Sequence, residues 1–389
     1  KKIKGINQRN FENLIKKAKE RVEIKNNTLN SFSKNFKLNF KFGELKNYKK
    51  FKRVIIIGLG GSILGAQAIN TFLKKNTKKE FIFINDLNLI QINKLKKTKH
   101  LKNSLFIIIS KSGNTIEVLS IIDSLKNKAN FNKKNSLIIT ENKKSYLSNF
   151  AKKLKIRIIY HRKYIGGRYS IFSETALVPS QLMGIDIIKF KKNILNFLNK
   201  QKSTLIKNLI NLSQIYNSKK INSLILLNYC PGLEYFLLWC QQLIAESLGK
   251  DGHGKTPLVS IGPRDHHSLL QLFLDGPKNN FFYIFSFKGK KSFKKKRGLF
   301  IDAINNHNLE NIVENQKNAM TSILKNKKIP YISIEIKKRN EETLGELFSY
   351  FILETILIGQ NLKINPFNQP AVEEIKELTR QNIFKRSQK

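Results

Sequence analysis

Between residues 105 and 125 the chain passes from the apolar run Leu-Phe-Ile-Ile-Ile, through Ser110-Lys111-Ser112-Gly113-Asn114-Thr115, to Ile116, Leu119, Ile122 and Leu125 at helical spacing. A short Ile-rich run without polar alternation is a strand buried on both faces, the habit of parallel sheets. A strand that leads through a polar turn into a helix is half of a βα unit, so this stretch directs the chain toward an α/β architecture. The start of that helix offers unpaired backbone N–H groups and the positive end of the dipole, which together suit a phosphate. Ser110, Ser112 and Thr115 add hydroxyl donors, and Gly113 lets the backbone approach closely. An ordinary helix cap needs one hydroxyl, so three with a glycine favour the phosphate reading.

The same strand–turn–helix order recurs along the chain. Residues 54–57 read as a buried strand, Gly58-Leu59-Gly60-Gly61-Ser62 as its turn, and residues 63–73 as a helix. The glycines are half of a dinucleotide fingerprint only, and Asp86 is followed by Leu87 and Asn88. That is weak evidence for NAD and better evidence for backbone that must pass close to a ligand. Further strands at residues 81–84, 136–140 and 156–159 predict a doubly wound, parallel-rich sheet with helices on both faces. A second α/β half follows. It has helical residues 191–217, strands at 223–228, 259–261, 281–285 and 331–336, and helices over 233–248 and 344–362. The last of these is apolar enough to be buried or to form a subunit contact. The expected organisation is an N-terminal helix and surface arm (1–50), a first half with the phosphate loop (51–190), a second half (191–362) and a C-terminal helix (363–389).

Composition narrows the function classes. The formal charge is +45, from 72 Lys and Arg against 27 Asp and Glu, which taken alone suggests a polyanion partner. The lysines are scattered over nearly every polar face, and the densest run, from Lys288 to Arg297, reads as a solvated loop. No zinc-finger, RNP-type or basic-zipper pattern occurs, so no specific nucleic acid is expected, and attraction of an anionic metabolite is the milder inference. Cys230 and Cys240 make neither a CxxC pattern nor a disulfide framework and read as small buried side chains. No signal-peptide core or membrane-length apolar run is present, and a cytoplasmic protein is expected.

Several isolated residues carry chemistry. Arg168 follows Gly166-Gly167 on a tight turn, which either aims a guanidinium at an anion or leaves it on the surface. Glu246 lies four residues after Gln242 on one helix face, among Leu243, Ile244, Ala245 and Leu248, where a carboxylate can serve as a general base. His266 and His267 form a pair before a helix, usually a surface feature and otherwise a source of a general acid. Gln369 and Lys376, seven apart, would share nearly one face of the C-terminal helix.

Taken together, these motifs resemble the glucose-6-phosphate isomerase family, which is built from two sugar-isomerase (SIS-type) domains. The residues that carry the resemblance are Ser110-Lys111-Ser112-Gly113-Asn114-Thr115, Gly166-Gly167-Arg168-Tyr169-Ser170, Gln241-Gln242 with Glu246-Ser247 and Gly249-Lys250, and Phe367-Asn368-Gln369 with Val372-Glu373 and Lys376. It spans roughly residues 50–380. The resemblance implies that Ser110, Lys111, Ser112 and Thr115 hold the 6-phosphate and that Gly61 and Ser62 line the sugar. Glu246 would move the proton between C2 and C1, and Arg168 would stabilise the cis-enediolate. His267, from a neighbouring subunit, and Lys376 would assist ring opening, while Gln242 and Gln369 would bind hydroxyls or phosphate. It implies a homodimer and neither metal nor organic cofactor. The sequence departs from the family pattern at Asn114, Leu248, Ala371 and the segment Pro263-Arg264-Asp265-His266. A non-catalytic sugar-phosphate regulator and a dual glucose/mannose phosphate isomerase are the alternatives within the same resemblance.

Overall fold

A computed structural model describes residues 8–74, 79–288 and 308–386. Among the described residues nine strands form two sheets. β1 (Arg53–Ile57), β2 (Glu80–Ile84), β3 (Leu105–Ile109), β4 (Ser136–Glu141) and β5 (Arg157–His161) lie in the order β2-β1-β3-β4-β5, every pair parallel. β6 (Ser223–Tyr229), β7 (Thr256–Ile261), β8 (Asn280–Phe287) and β9 (Tyr331–Ile336) lie in the order β7-β6-β8-β9, also all parallel. The chain is therefore an α/β protein with two doubly wound parallel sheets, the architecture that the resemblance implies.

The central strands are apolar throughout because both of their faces are covered. Val54 and Ile56 face one core, and Ile55 and Ile57 face another. Leu105, Ile107 and Ile109 of β3 are likewise separated from Phe106 and Ile108, the period-2 alternation of a strand. The first core is shared by both halves: Ile56 and Ile107 belong to the same cluster as Leu224, Leu226 and Phe285 of the second sheet. Trp239 on the helix Glu234–Leu248 and Phe348 on the helix Glu341–Asn361 pack between them, their rings 4.7 Å apart. Burying one such large apolar side chain is worth about 1.5–3 kcal/mol, so this shared layer fixes how the two sheets sit.

One expectation changes. Residues 26–50 are not simply wrapped over the surface: 3-10 turns Thr28–Phe32 and Phe42–Tyr48 bury Leu29, Phe32 and Leu45 in the shared core. The apolar helix Glu341–Asn361 is buried from Phe348 to Gly359. Its N-terminus is capped by the Asn340 side chain, and its Gly345 passes so close to Phe190 that a Cβ would lie 1.8 Å from that carbonyl oxygen. The C-terminal helix Pro370–Arg386 is exposed, with Ile375 and Leu378 open to solvent. Cys230 and Cys240 are buried free thiols. Of the lysine-rich run from Lys288, only Lys288 falls within the described residues, and it is exposed.

Candidate active site

The hydroxyl loop sits where the sequence puts it, between β3 and the helix Ile116–Ala129, beside β1 at the point where the strand order reverses. Ser110 Oγ lies 2.8 Å from Thr115 Oγ1, and Ser112 Oγ lies 3.4 Å from the same atom. The Gly113 N–H donates to Ser110 Oγ at 3.2 Å, so the loop closes on itself in a ring of hydroxyls. Gly113 has φ +67°, and a Cβ there would meet Ser145 Oγ at 2.2 Å. Lys111 donates to the Lys163 carbonyl at 2.9 Å and stands 3.6 Å from Glu141. Burial holds its amine below the usual lysine range, partly offset by Glu141, and the Arg168 charge adds to the depression. Asn114, a departure from the family pattern, accepts from the Tyr146 N–H at 3.0 Å and so holds the start of the next helix, Tyr146–Lys153.

The turn after β1 abuts the Arg168 turn. A Cβ on Gly61 would lie 2.3 Å from the Gly167 carbonyl carbon and 2.4 Å from Arg168 N, so only glycine lets these two backbones touch. Ser62, next to it, is half-buried. Arg168 is not a surface residue: its side chain is 2% exposed. Nε donates to Ser247 Oγ at 2.8 Å. Nη1 donates to Glu246 Oε2 at 3.1 Å and Gln369 Oε1 at 2.8 Å, and Nη2 donates to the carbonyls of Pro366 at 2.7 Å and Asn368 at 3.2 Å. The Trp239 indole donates to the Arg168 carbonyl at 2.9 Å and fixes the turn from below.

A second layer supports this guanidinium. Buried Tyr169 donates its phenol to the Pro366 carbonyl at 2.8 Å and lies 2.8 Å from Ser247 Oγ. Ser247 therefore donates to Tyr169 while accepting from Arg168, which leaves no ambiguity in the hydroxyl directions. Burial raises the Tyr169 phenol above its ordinary value, with Arg168 opposing. Lys250 donates to the Asn365 carbonyl and to Asn368 Oδ1 at 3.1 Å, and burial, helped by the Arg168 charge, brings its amine down to about 8.

Glu246 differs from its sequence environment. Of its apolar neighbours, Leu243, Ile244 and Leu248 turn into the core and Ala245 is exposed, while its own side chain is 26% exposed and meets polar partners. Oε2 accepts from Arg168, and Oε1 accepts from Gln242 Nε2 at 2.9 Å. The structure thus brings Arg168 and Gln242 onto the Glu246 carboxylate, with Gln369 on the same Arg168 nitrogen and Gly61 against the Arg168 backbone. It does not bring His267 or Lys376 to it within this chain. His267, itself exposed, ends the turn Arg264–His267 with no side-chain hydrogen bond or ion pair among the described residues, and Lys376 pairs with Glu373 at 2.8 Å on the outer helix. His266 is bonded to the Tyr229 hydroxyl, and burial lowers its imidazole, with His267 adding to the shift. Ser247, Tyr169 and Lys250 stand within quoted motifs, but only their partners in space reveal what they do.

A carboxylate oriented by Arg and Gln, part-open to solvent, together with a hydroxyl-lined helix start, is the equipment of an enzyme that moves protons on a small phosphorylated substrate. A profile of the phosphoglucose isomerase family matches residues 3–263. The glucose-6-phosphate isomerase of Methanocaldococcus jannaschii is 33% identical over 346 residues, covering 86% of this chain and 84% of the relative. That of Campylobacter jejuni is 32% identical over 356 residues, covering 86% and 85%. Among solved structures, a hypothetical protein from Thermus thermophilus superposes with a TM-score of 0.83 at 21% identity, over 97% of this chain and 96% of that one. A glucose-6-phosphate isomerase from Chlamydia trachomatis gives 0.75 at 19% identity, over 89% and 72%. The chain belongs to the phosphoglucose isomerase family.

Proposed function

We propose that this member of the family interconverts glucose 6-phosphate and fructose 6-phosphate in glycolysis and gluconeogenesis, with Glu246 as the base that carries the proton between C2 and C1. The observation that carries the reading is the carboxylate itself, held on both oxygens by Arg168 and Gln242 yet part-exposed. In this reading Ser110, Lys111, Ser112 and Thr115 hold the phosphate, and Gly61 and Ser62 line the sugar. Gln242 and Gln369 orient its hydroxyls, and Arg168 stabilises the enediolate charge. The carboxylate alone carries the proton, so the mechanism calls on no metal or organic cofactor. His267 and Lys376 open the ring. The exposure of His267 away from its own chain's cluster supports a homodimer in which each subunit lends its histidine to the other. No helix among the described residues is long and apolar enough to cross a membrane, and we place the enzyme in the cytoplasm.

The test is a dehydrogenase-coupled assay of purified wild type and Glu246→Gln. The variant should lose about 10²–10⁴-fold in kcat. A wild type that binds the sugar phosphate without turnover would make the protein a regulator, and an active variant would remove Glu246 from the mechanism. Mixing inactive Glu246→Gln with inactive His267→Ala subunits should restore roughly a quarter of wild-type activity, because half the dimers are mixed and each has one intact site. No recovery after verified subunit exchange would refute the shared site.

A further inference from the structure

We propose a second small-molecule site, separate from the Glu246 cluster, at the carboxyl edge of the second sheet. The two sheets reverse strand order in the same way: β3 lies beside β1 in the first, and β8 lies beside β6 in the second. Open α/β sheets bind ligands at the crevice outside that reversal. In the first sheet it holds the hydroxyl loop. In the second it opens into a cavity of about 370 Å³, the scale of a small-ligand pocket.

The cavity exists because one helix packs along only part of its length. The later turns of Leu309–Asn326 press Met320 and Leu324 onto the sheet. Its first turns instead present Glu310, Val313, Glu314 and Lys317 to the open space. On the sheet side, Tyr229, Ser286 and Glu335 are register partners on three adjacent strands, so their side chains share one face. Ser286 is 5% exposed, and its hydroxyl has no hydrogen-bond partner among the described residues, although it lines the cavity. A buried hydroxyl left unmade is costly, and a ligand would satisfy it.

The lining also indicates what fits. Lys288, Lys317 and Arg339 supply three positive charges, and Glu310, Glu314 and Glu335 supply three negative ones. The balance gives a net-charged ligand no advantage, in contrast to the hydroxyl loop, whose ligand is expected to be a phosphate. Three carboxylates accept from hydroxyls, the cations and Ser286 donate to them, and the ring of Tyr229 offers a flat apolar wall. The ligand class is an uncharged, hydroxyl-rich ring of about hexose size.

The test is saturation-transfer NMR on the full chain with D-glucose and myo-inositol at about 10 mM, with methyl phosphate, whose C–H protons report binding, as the charged comparison. Spectra are recorded first without and then with excess fructose 6-phosphate, which occupies the other site. At least one uncharged probe should receive saturation. Val313→Trp, which fills the cavity, should abolish the signal, and Ser286→Ala should weaken binding about tenfold. Should Val313→Trp fail to fold, Ser286→Ala alone decides. The proposal is overturned if neither uncharged probe binds, if the signal persists in Val313→Trp, if Ser286→Ala binds as wild type does, if fructose 6-phosphate displaces the probe, or if methyl phosphate alone binds. None of these outcomes depends on Glu246 being the isomerase base.

Discussion

Glu354 lies in the middle of the buried helix Glu341–Asn361, 3% exposed, with Tyr283 donating to its Oε1 at 2.8 Å and its Oε2 unpartnered among the described residues. Burial raises its carboxyl from 4.5 to about 7, against the lowering effect of hydrogen bonds from Tyr350 and Tyr283. Between those two values the folded protein holds a proton that the unfolded chain releases, so stability falls as pH rises through this window and levels off above it. Held at about 7 rather than 4.5, the carboxyl makes a difference of about 3 kcal/mol at pH 8 and close to nothing at pH 4.5. Gln cannot ionise and still accepts from Tyr283. Urea unfolding of wild type and Glu354→Gln across pH 4.5–8.5 should therefore give curves that nearly coincide at the acid end and separate to about 3 kcal/mol in favour of the variant at pH 8. Taking the difference between the two proteins removes every other titrating group. A separation that is independent of pH, or one that narrows toward high pH, would refute the buried neutral carboxyl.

Gly61→Ala would place a methyl 2.3 Å from the Gly167 carbonyl carbon, where ordinary contact begins near 3.4 Å. The two turns must part by about 1 Å, and kcat should fall about 100-fold while the melting curve moves little; unchanged kcat refutes the contact. Gly345→Ala, whose Cβ would lie 1.8 Å from the Phe190 oxygen, should cost about 1–3 kcal/mol in urea unfolding, and a wild-type midpoint would contradict the packing described. Asn114→Ala removes the acceptor for the Tyr146 N–H and should lower stability by about 1 kcal/mol, read from the same titration; no change would mean the cap is already satisfied by water.

The strands were legible in the sequence to within a residue or two because burial on both faces leaves only apolar side chains, as in β3. β7 is the exception. It begins at Thr256 rather than residue 259 and includes Pro257, which a central strand would exclude but the edge position of β7 permits. The helix Glu174–Leu182 gave no periodic signal, since eight of its nine residues are buried and no polar face remains to mark a period. Among site residues, local sequence left Arg168 between a surface turn and an anchor. Its partners, Ser247, Pro366 and Gln369, lie far along the chain and meet it only through the shared core. For the same reason the apolar neighbours of Glu246 misdescribed its surroundings: the helix rotates Leu243, Ile244 and Leu248 inward and turns the carboxylate toward Arg168.

The bonds of Arg168 also constrain how it can act. A guanidinium has five N–H donors, and here Nε, both hydrogens of Nη1 and both of Nη2 each find one acceptor. Nε and Nη2 bind Ser247 and two main-chain carbonyls of the 366–368 segment, which ties the C-terminal signature to the helix Glu234–Leu248 and fixes the plane of the group. Only Nη1 has side-chain partners of partial exposure, Glu246 and Gln369. Any direct hydrogen bond from Arg168 to a developing enediolate must therefore replace one of these two, while the other three bonds keep the charge in place. If Glu246 is the base as proposed, releasing its bond to Arg168 would also free the carboxylate to accept a proton, so one exchange at Nη1 would expose that base and turn the cation toward the charge it creates. A lysine, with its donors on a single atom at the end of a flexible stem, could not stay anchored on one side while exchanging partners on the other.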